Sequence, residues 1–106
     1  MTNPHAIPAD STITIFRDLI AALPFGQLDE IQLCDLGAIA AESIDGLCHG
    51  LHYLGDTLQN DNEIPPESLC QLGACLNASA HLIPALLAIC EQTHHLGLPP
   101  KFAANP

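Results

Sequence analysis

Apolar residues recur every three or four positions over three stretches of this chain, the spacing that places side chains on one side of an α-helix. The first stretch follows Asp10 or Ser11, either of which is a suitable N-cap, and ends at Pro-Phe-Gly in positions 24–26. Its apolar positions are Ile15, Phe16, Leu19, Ile20 and Leu23. The sequence Thr-Ile-Thr-Ile also fits a short strand over 12–17. We predict a helix, because the chain offers no second strand for pairing.

A long helix is predicted from about residue 28 to residue 59. Asp29 and Glu30 stand near its start, where the helix dipole favours acidic side chains. Asn-Asp-Asn at 60–62 ends the pattern. Its apolar seam consists of Leu33, Leu36, Ala40, Ile44, Leu47, Leu51, Leu54 and Leu58.

A second long helix is predicted from about residue 66 to residue 95. Pro84 falls in its middle, removes one backbone hydrogen bond and clashes with the carbonyl of Ala80, so we expect a kink or a break there. The predicted apolar seam is Leu69, Leu72, Leu76, Ala80, Ile83, Leu87 and Cys90. This stretch is also apolar outside its seam, which indicates that more than one other element covers it.

The pattern predicts an all-α fold in which two long helices form an antiparallel hairpin, because the loop between them has only about five residues. With the short N-terminal helix, the result is a three-helix bundle or a dimeric helical bundle. We expect a single helical domain over 11–97, a flexible N-terminal tail over 1–10 and a C-terminal tail over 98–106.

Self-association is expected on two grounds, and we predict a homodimer. The first long helix contains the pair Gly46 and Gly50, spaced as small residues are at close helix contacts, although packing within one chain is an alternative explanation. The second long helix is apolar on several sides. The residues predicted for the contact between copies are Gly46, Gly50, Leu82, Leu86 and Ile89.

The charge balance limits the partners of this chain. Its 106 residues include 12 acids against two bases, Arg17 and Lys101, which gives a net charge of −10. Two bases cannot neutralise a phosphate backbone, so we expect no direct binding to nucleic acid, and anionic membranes are disfavoured for the same reason. The sequence shows no uninterrupted apolar run of membrane-spanning length and no signal-peptide pattern, which predicts a cytoplasmic protein without membrane contact. A protein with a basic surface is the favoured partner.

An acid–histidine face is predicted on the side of the first long helix that is opposite its seam. It consists of Glu42, Asp45, His49, His52 and Asp56, and we assign it to the binding of a protein partner. Asp45, His49, His52 and Asp56 would also be the ligands if the face held a metal such as zinc or iron. A solvated surface without a partner is the remaining alternative.

The sequence shows no recognisable catalytic site. The five cysteines (Cys34, Cys48, Cys70, Cys75 and Cys90) are odd in number and form no C-x-x-C pair, so we expect free thiols, mostly buried. Cys90 and His94 are one turn apart, but an acidic chain does not favour a thiolate. Glu91 and His94 form a single Glu-x-x-His, whereas a di-iron bundle uses two.

Size and composition resemble those of small bacterial or phage accessory proteins. The charge balance, the helical pattern and the lack of a recognisable catalytic site lead us to expect a non-enzymatic, acidic helical interaction protein that has no cofactor. It either inhibits a protein by covering a basic nucleic-acid-binding surface or acts as a homodimeric adaptor or regulator. A metal-binding regulatory or storage protein, using the histidine and carboxylate groups, is the alternative.

Overall fold

The computed structural model describes residues 9–60 and 63–97, and within these ranges it contains helices and no strand. Helix α1 spans Ala9–Ala21, a single 3-10 turn spans Phe25–Gln27, α2 spans Glu30–Asn60 and α3 spans Pro66–Gly97. The all-α prediction is confirmed, and residues 12–17 are helical rather than a strand. Helix α1 already includes Ala9 and Asp10, which the sequence pattern had assigned to the tail. Residues 1–8, 61–62 and 98–106, and with them the C-terminal tail, lie outside the described residues.

The start of α2 is fixed by a capping box. The backbone N–H of Gln32 donates to the Asp29 carboxylate at 2.8 Å, and the backbone N–H of Asp29 donates to the Gln32 side-chain oxygen at 3.1 Å. Each of the two side chains thus satisfies a backbone donor that has no partner inside the helix. Asp29 is therefore the N-cap of α2, a role that the sequence analysis did not assign to it.

Helix α3 continues through Pro84 without a break. Of the two expected outcomes, a kink or a break, the break was wrong, and the kink stays a prediction. The proline removes one backbone hydrogen bond from a helix of 32 residues. Directly after Pro84, Ala85 and Ala88 are buried, so packing holds the chain helical on this side of the proline.

Helix α3 is the central element, because it packs against both α1 and α2, whereas no comparable contact joins α1 to α2. Near the start of α2, the carbonyl oxygen of Gly37 lies 3.9 Å from the Cys90 sulfur, close to the end of α3. Near the end of α2, Leu54 and Leu58 line one shallow groove together with Leu72, close to the start of α3.

The core of the described region is small. The buried hydrophobic residues are Phe25, Leu33, Ala40, Ala85 and Ala88, and three of these five are alanines. Ser79 and Thr93 are the buried polar residues. Small side chains at the contact allow helices to approach closely but bury little apolar surface.

The predicted seam of α2 faces α3, and the predicted seam of α3 is only partly covered. In α2, Leu33 and Ala40 are buried, and the other seam residues are half-buried except Leu58. In α3, Leu72, Ile83 and Cys90 are half-buried. Four of its seven predicted seam residues are exposed instead: Leu69, Leu76, Ala80 and Leu87. Because α3 is apolar on nearly every side, the pattern did not identify the side that packs.

Many large apolar side chains remain exposed. In the described region there are twelve, between 41% and 74% accessible. They are Ile15, Leu19, Leu23, Ile31, Ile39, Tyr53, Leu58, Leu69, Leu76, Leu82, Leu87 and Leu96. Scattered apolar residues on a surface are normal, but here they outnumber the buried ones.

Candidate functional site

The acid–histidine face of α2 is exposed along its whole length. An α-helix turns 100° per residue, so the spacings of three and four place these five side chains on one side of α2. That side is opposite Leu33 and Ala40, the two buried residues of the helix. All five side chains of the face are exposed: Glu42, Asp45, His49, His52 and Asp56.

Two histidine–aspartate pairs on this face have loose geometry. The His49 Nδ1 atom donates to the backbone carbonyl of Asp45 at 2.8 Å, and lies 3.5 Å from the Asp45 carboxylate. His52 Nε2 lies 3.7 Å from the Asp56 carboxylate. All four side chains are at least 60% exposed, so water screens both pairs, and we assign little stability to them. The carboxylates therefore remain accessible to a partner.

The alternative assignment to a metal gains no support from this geometry. Among the residues that the structure describes, no three histidine, cysteine, aspartate or glutamate side chains are placed so that they could hold one ion together. Glu91 and His94, the Glu-x-x-His pair, are both exposed and do not point into a bundle core. A structural zinc site takes four ligands, and the two histidine–aspartate pairs of α2 are separate from each other.

The residues predicted for self-association fall into two groups. Gly46 and Gly50 are exposed, and a Cβ atom built on either of them would meet nothing within 4 Å. Packing among the described residues therefore does not explain these two glycines. Leu82 is exposed, whereas Leu86 and Ile89 are half-buried within the chain.

Gly37 is the glycine that packs tightly inside the chain. A Cβ atom at this position would lie 2.7 Å from the Thr93 hydroxyl oxygen, too close for a normal contact. Thr93 is buried, and its hydroxyl donates to the Cys90 carbonyl at 3.2 Å. The absence of a side chain at Gly37 lets α2 approach α3.

A stripe that we call the free stripe runs along α2 beside the acid–histidine face. It consists of Ile39, Gly46, Gly50 and Tyr53, which are spaced by seven, four and three residues and are all exposed. Ile39 and Tyr53 are 60% and 72% accessible. The sequence analysis missed these two residues, although each lies seven positions from Gly46 and that spacing was visible.

The cysteines are free, but their predicted burial was wrong. Cys34, Cys48, Cys70 and Cys75 are exposed, and Cys90 is half-buried. The prediction relied on how often cysteine is buried in general, whereas these four lie on sides of α2 and α3 that the described elements leave uncovered. Cys90 directs its weak S–H donor toward the Gly37 carbonyl. His94, one turn later, is exposed.

His81 is a structural link between α3 and α1. Its Nδ1 donates to the Asn77 carbonyl at 2.9 Å, and its Nε2 lies 3.2 Å from the Thr12 hydroxyl. The ring meets Phe16 edge-on, with centroids 6.3 Å apart. These contacts hold α1 against α3.

By length and composition alone, one described helix is apolar enough to cross a membrane, namely Pro66–Gly97. The sequence expectation of no span rested on uninterrupted apolar runs, whereas α3 is apolar enough when its hydropathy is averaged over a longer stretch.

No protein-family model matches the chain, and neither a curated protein nor a solved structure is significantly similar to it.

Proposed function

We propose that this chain is a non-enzymatic helical interaction protein of the cytoplasm, and that its acid–histidine face binds a protein partner with a basic surface. The observation that carries the proposal is the exposure of all five side chains of that face on one side of α2. The described elements pack on the other side of the helix and leave the face open. The packing of α2 on α3 also supports the expected antiparallel hairpin.

The charge distribution favours a basic partner. Arg17 is the only lysine or arginine in the described part of the chain, and it already pairs with Asp18 at 3.0 Å. The described surface therefore carries little positive charge to offset the acids that give the chain its net charge of −10. Complementary charge steers association and raises the on-rate, an effect that salt reduces.

A membrane is a weaker candidate for the partner than a basic protein. Although α3 is long and apolar, α2 packs along it and carries Glu42, Asp45 and Asp56 on its exposed side. A bilayer around the α2–α3 pair would place these acids against hydrocarbon. Each charged group at the centre of a bilayer costs about 2.5 to 3.5 kcal/mol on insertion scales.

The proposal is tested by comparing partner capture by two charge-matched triple variants. The first changes Glu42→Gln, Asp45→Asn and Asp56→Asn, which removes the three acids of the face. We expect the partners retained by the unaltered chain at low salt to be lost, because the attraction to a basic surface is gone. Captured proteins are identified by mass spectrometry, and their binding is then measured with purified components at several salt concentrations.

The matched control changes Glu30→Gln, Glu67→Gln and Glu91→Gln. It removes the same charge at exposed positions outside the face. We expect this control to retain the partners and their salt dependence. Equal binding by both variants would show that the acids of the face only keep the protein in solution.

A further inference from the structure

We propose that a groove between α2 and α3 binds a small, uncharged molecule that has an apolar body and one hydroxyl group. We call this feature the Ser79 groove. It has a volume of about 350 Å³, and its lining residues are Leu51, Leu76, Ser79, Ala80, Ile83 and Pro84. The inference concerns the contact between the two long helices and does not depend on the acid–histidine face binding a partner.

The walls of the Ser79 groove are apolar and carry no charge. Leu51 belongs to α2, and the lining positions of α3 recur at helical spacing, so they form one strip of that helix beside α2. None of the six lining residues is ionisable. A charged ligand would therefore lose its hydration without meeting an opposite charge, which is costly. Small-molecule sites are typically apolar with a few placed polar groups, and this groove has that character.

The first polar group in the groove is the hydroxyl of Ser79. The residue is only 3% exposed, and its hydroxyl makes no hydrogen bond to another described residue. Every side-chain nitrogen or oxygen atom that is sealed from solvent in the described region has a hydrogen-bond partner. The Ser79 hydroxyl is therefore not sealed, and it opens to the groove that the residue lines. A largely buried hydroxyl without a partner is costly, so its position indicates a ligand group that completes the bond.

The second polar group is the backbone carbonyl of Ala80. In an unbroken α-helix this carbonyl would accept the N–H of residue 84, but Pro84 has no N–H to donate. Ala80 and Pro84 both line the groove, and Ala80 is exposed. The proline thus leaves an acceptor without its helical donor beside the Ser79 hydroxyl.

These two groups together are complementary to a hydroxyl group. A carbonyl only accepts a hydrogen bond, whereas a serine hydroxyl also donates one. An alcohol can donate to the Ala80 carbonyl and accept from the Ser79 hydroxyl at the same time. An ether has no hydrogen for the carbonyl, and a hydrocarbon satisfies neither group. The groove therefore favours an alcohol over an ether or a hydrocarbon of the same shape.

The first test is a nuclear magnetic resonance titration of the full chain with cyclohexanol, methoxycyclohexane and methylcyclohexane. The three probes share one apolar ring and differ in their hydrogen-bonding groups. We expect saturable shifts at the backbone amides of the lining residues, and a dissociation constant for cyclohexanol that is lower by about fivefold than those of the other two probes. The absence of saturable shifts with any probe would show that water alone occupies the groove. Equal dissociation constants for the three probes would also overturn the proposal.

The second test removes each polar group in turn. Ser79→Ala deletes the hydroxyl, and Pro84→Ala returns a helical N–H to the Ala80 carbonyl. Both changes favour the helix, so the chain stays folded. We expect each to weaken cyclohexanol binding by about fivefold and Ser79→Ala to leave methylcyclohexane binding unchanged.

The matched control is Ser43→Ala, because Ser43 is a half-buried serine of α2 that does not line the groove. We expect this variant to bind cyclohexanol as the unaltered chain does. Equal affinity of Ser79→Ala and Ser43→Ala for cyclohexanol would overturn the proposal. So would amide shifts at the lining residues that follow protein concentration without any probe and do not respond to the probes, since a second copy would then occupy the groove.

Discussion

Gly37 and Gly46 are the same residue type in the same helix, and their surroundings differ completely. At Gly37 the Thr93 hydroxyl oxygen lies 2.7 Å from the place where a Cβ atom would be, whereas at Gly46 no other side chain of the described residues lies within 4 Å of that place. Each interior glycine costs about 1 kcal/mol of helix stability relative to alanine. Contact with α3 offsets that cost at Gly37. Nothing in the described part of the chain offsets it at Gly46.

The contrast extends to the two sides of α2 on which these glycines lie. The side of Gly37 also carries Leu33 and Ala40, which are buried against the rest of the chain. The side of Gly46 carries Ile39 and Tyr53, which are exposed. Both sides combine glycine with large apolar residues, but in the described part of the chain only the side of Gly37 packs against another element. The contact between copies that the sequence predicts at Gly46 stays a prediction.

The largest expected loss of stability follows a substitution on the packed side of α2, the side that carries Leu33, Gly37 and Ala40. Leu33→Ala removes a buried side chain and leaves a cavity, and we expect the free energy of unfolding to fall by about 2 to 5 kcal/mol. Ile31→Ala is the comparison, because Ile31 is 74% exposed and lies outside both the packed side and the free stripe. We expect it to change stability by no more than about 0.5 kcal/mol. Urea denaturation measures both values, and equal losses would mean that the packed side is misidentified.

A smaller effect is expected from Gly37→Leu. The added side chain must displace Thr93, whose hydroxyl donates to the Cys90 carbonyl. We expect a loss of about 1 to 3 kcal/mol in the free energy of unfolding, as overfilled cores show. Combining it with Thr93→Ala should recover part of that loss, since the clashing oxygen is then absent. The absence of any coupling in this double-mutant cycle would argue against the close approach.

The smallest expected effect is a change in the free energy of unfolding that has opposite signs at Gly46 and Gly37. In protein dilute enough to be a single chain, Gly46→Ala should raise the free energy of unfolding by up to about 1 kcal/mol, because alanine favours the helix and meets no neighbour. Gly37→Ala should lower it, since its Cβ atom meets Thr93. Chemical denaturation at low protein concentration measures both changes. The same sign at the two positions would remove the basis for the comparison.

The sequence pattern predicted α2 better than α3, and the reason is physical. In α2 polar and charged residues occupy the side opposite the seam, so the apolar spacing identified the packed side, and Leu33 and Ala40 are buried there. In α3 nearly every side is apolar, so the spacing of apolar residues could not show which side packs against the other helices. The contacts bury the small residues Ser79, Ala85, Ala88 and Thr93, whereas Leu76 and Leu87 remain exposed.

The candidate surfaces were predicted unevenly for a similar reason. The acid–histidine face is exposed as expected, because acidic residues opposite a seam are rarely buried. The roles of the glycines were not separable by sequence, since Gly37 and Gly46 differ only in whether another helix lies close to them. The exposure of Cys34 and Cys48 was also missed, because the tendency of cysteine to be buried does not show which side of a helix is covered.

The most direct test of the predicted homodimer is the thermal unfolding midpoint of the unaltered chain across a dilution series. When a second copy binds only the folded chain, mass action raises the midpoint as protein concentration increases. We predict that rise, and we predict that Gly46→Leu abolishes it while Gly55→Leu keeps it. A midpoint that is independent of concentration, together with the mass of a single chain, would contradict the predicted homodimer.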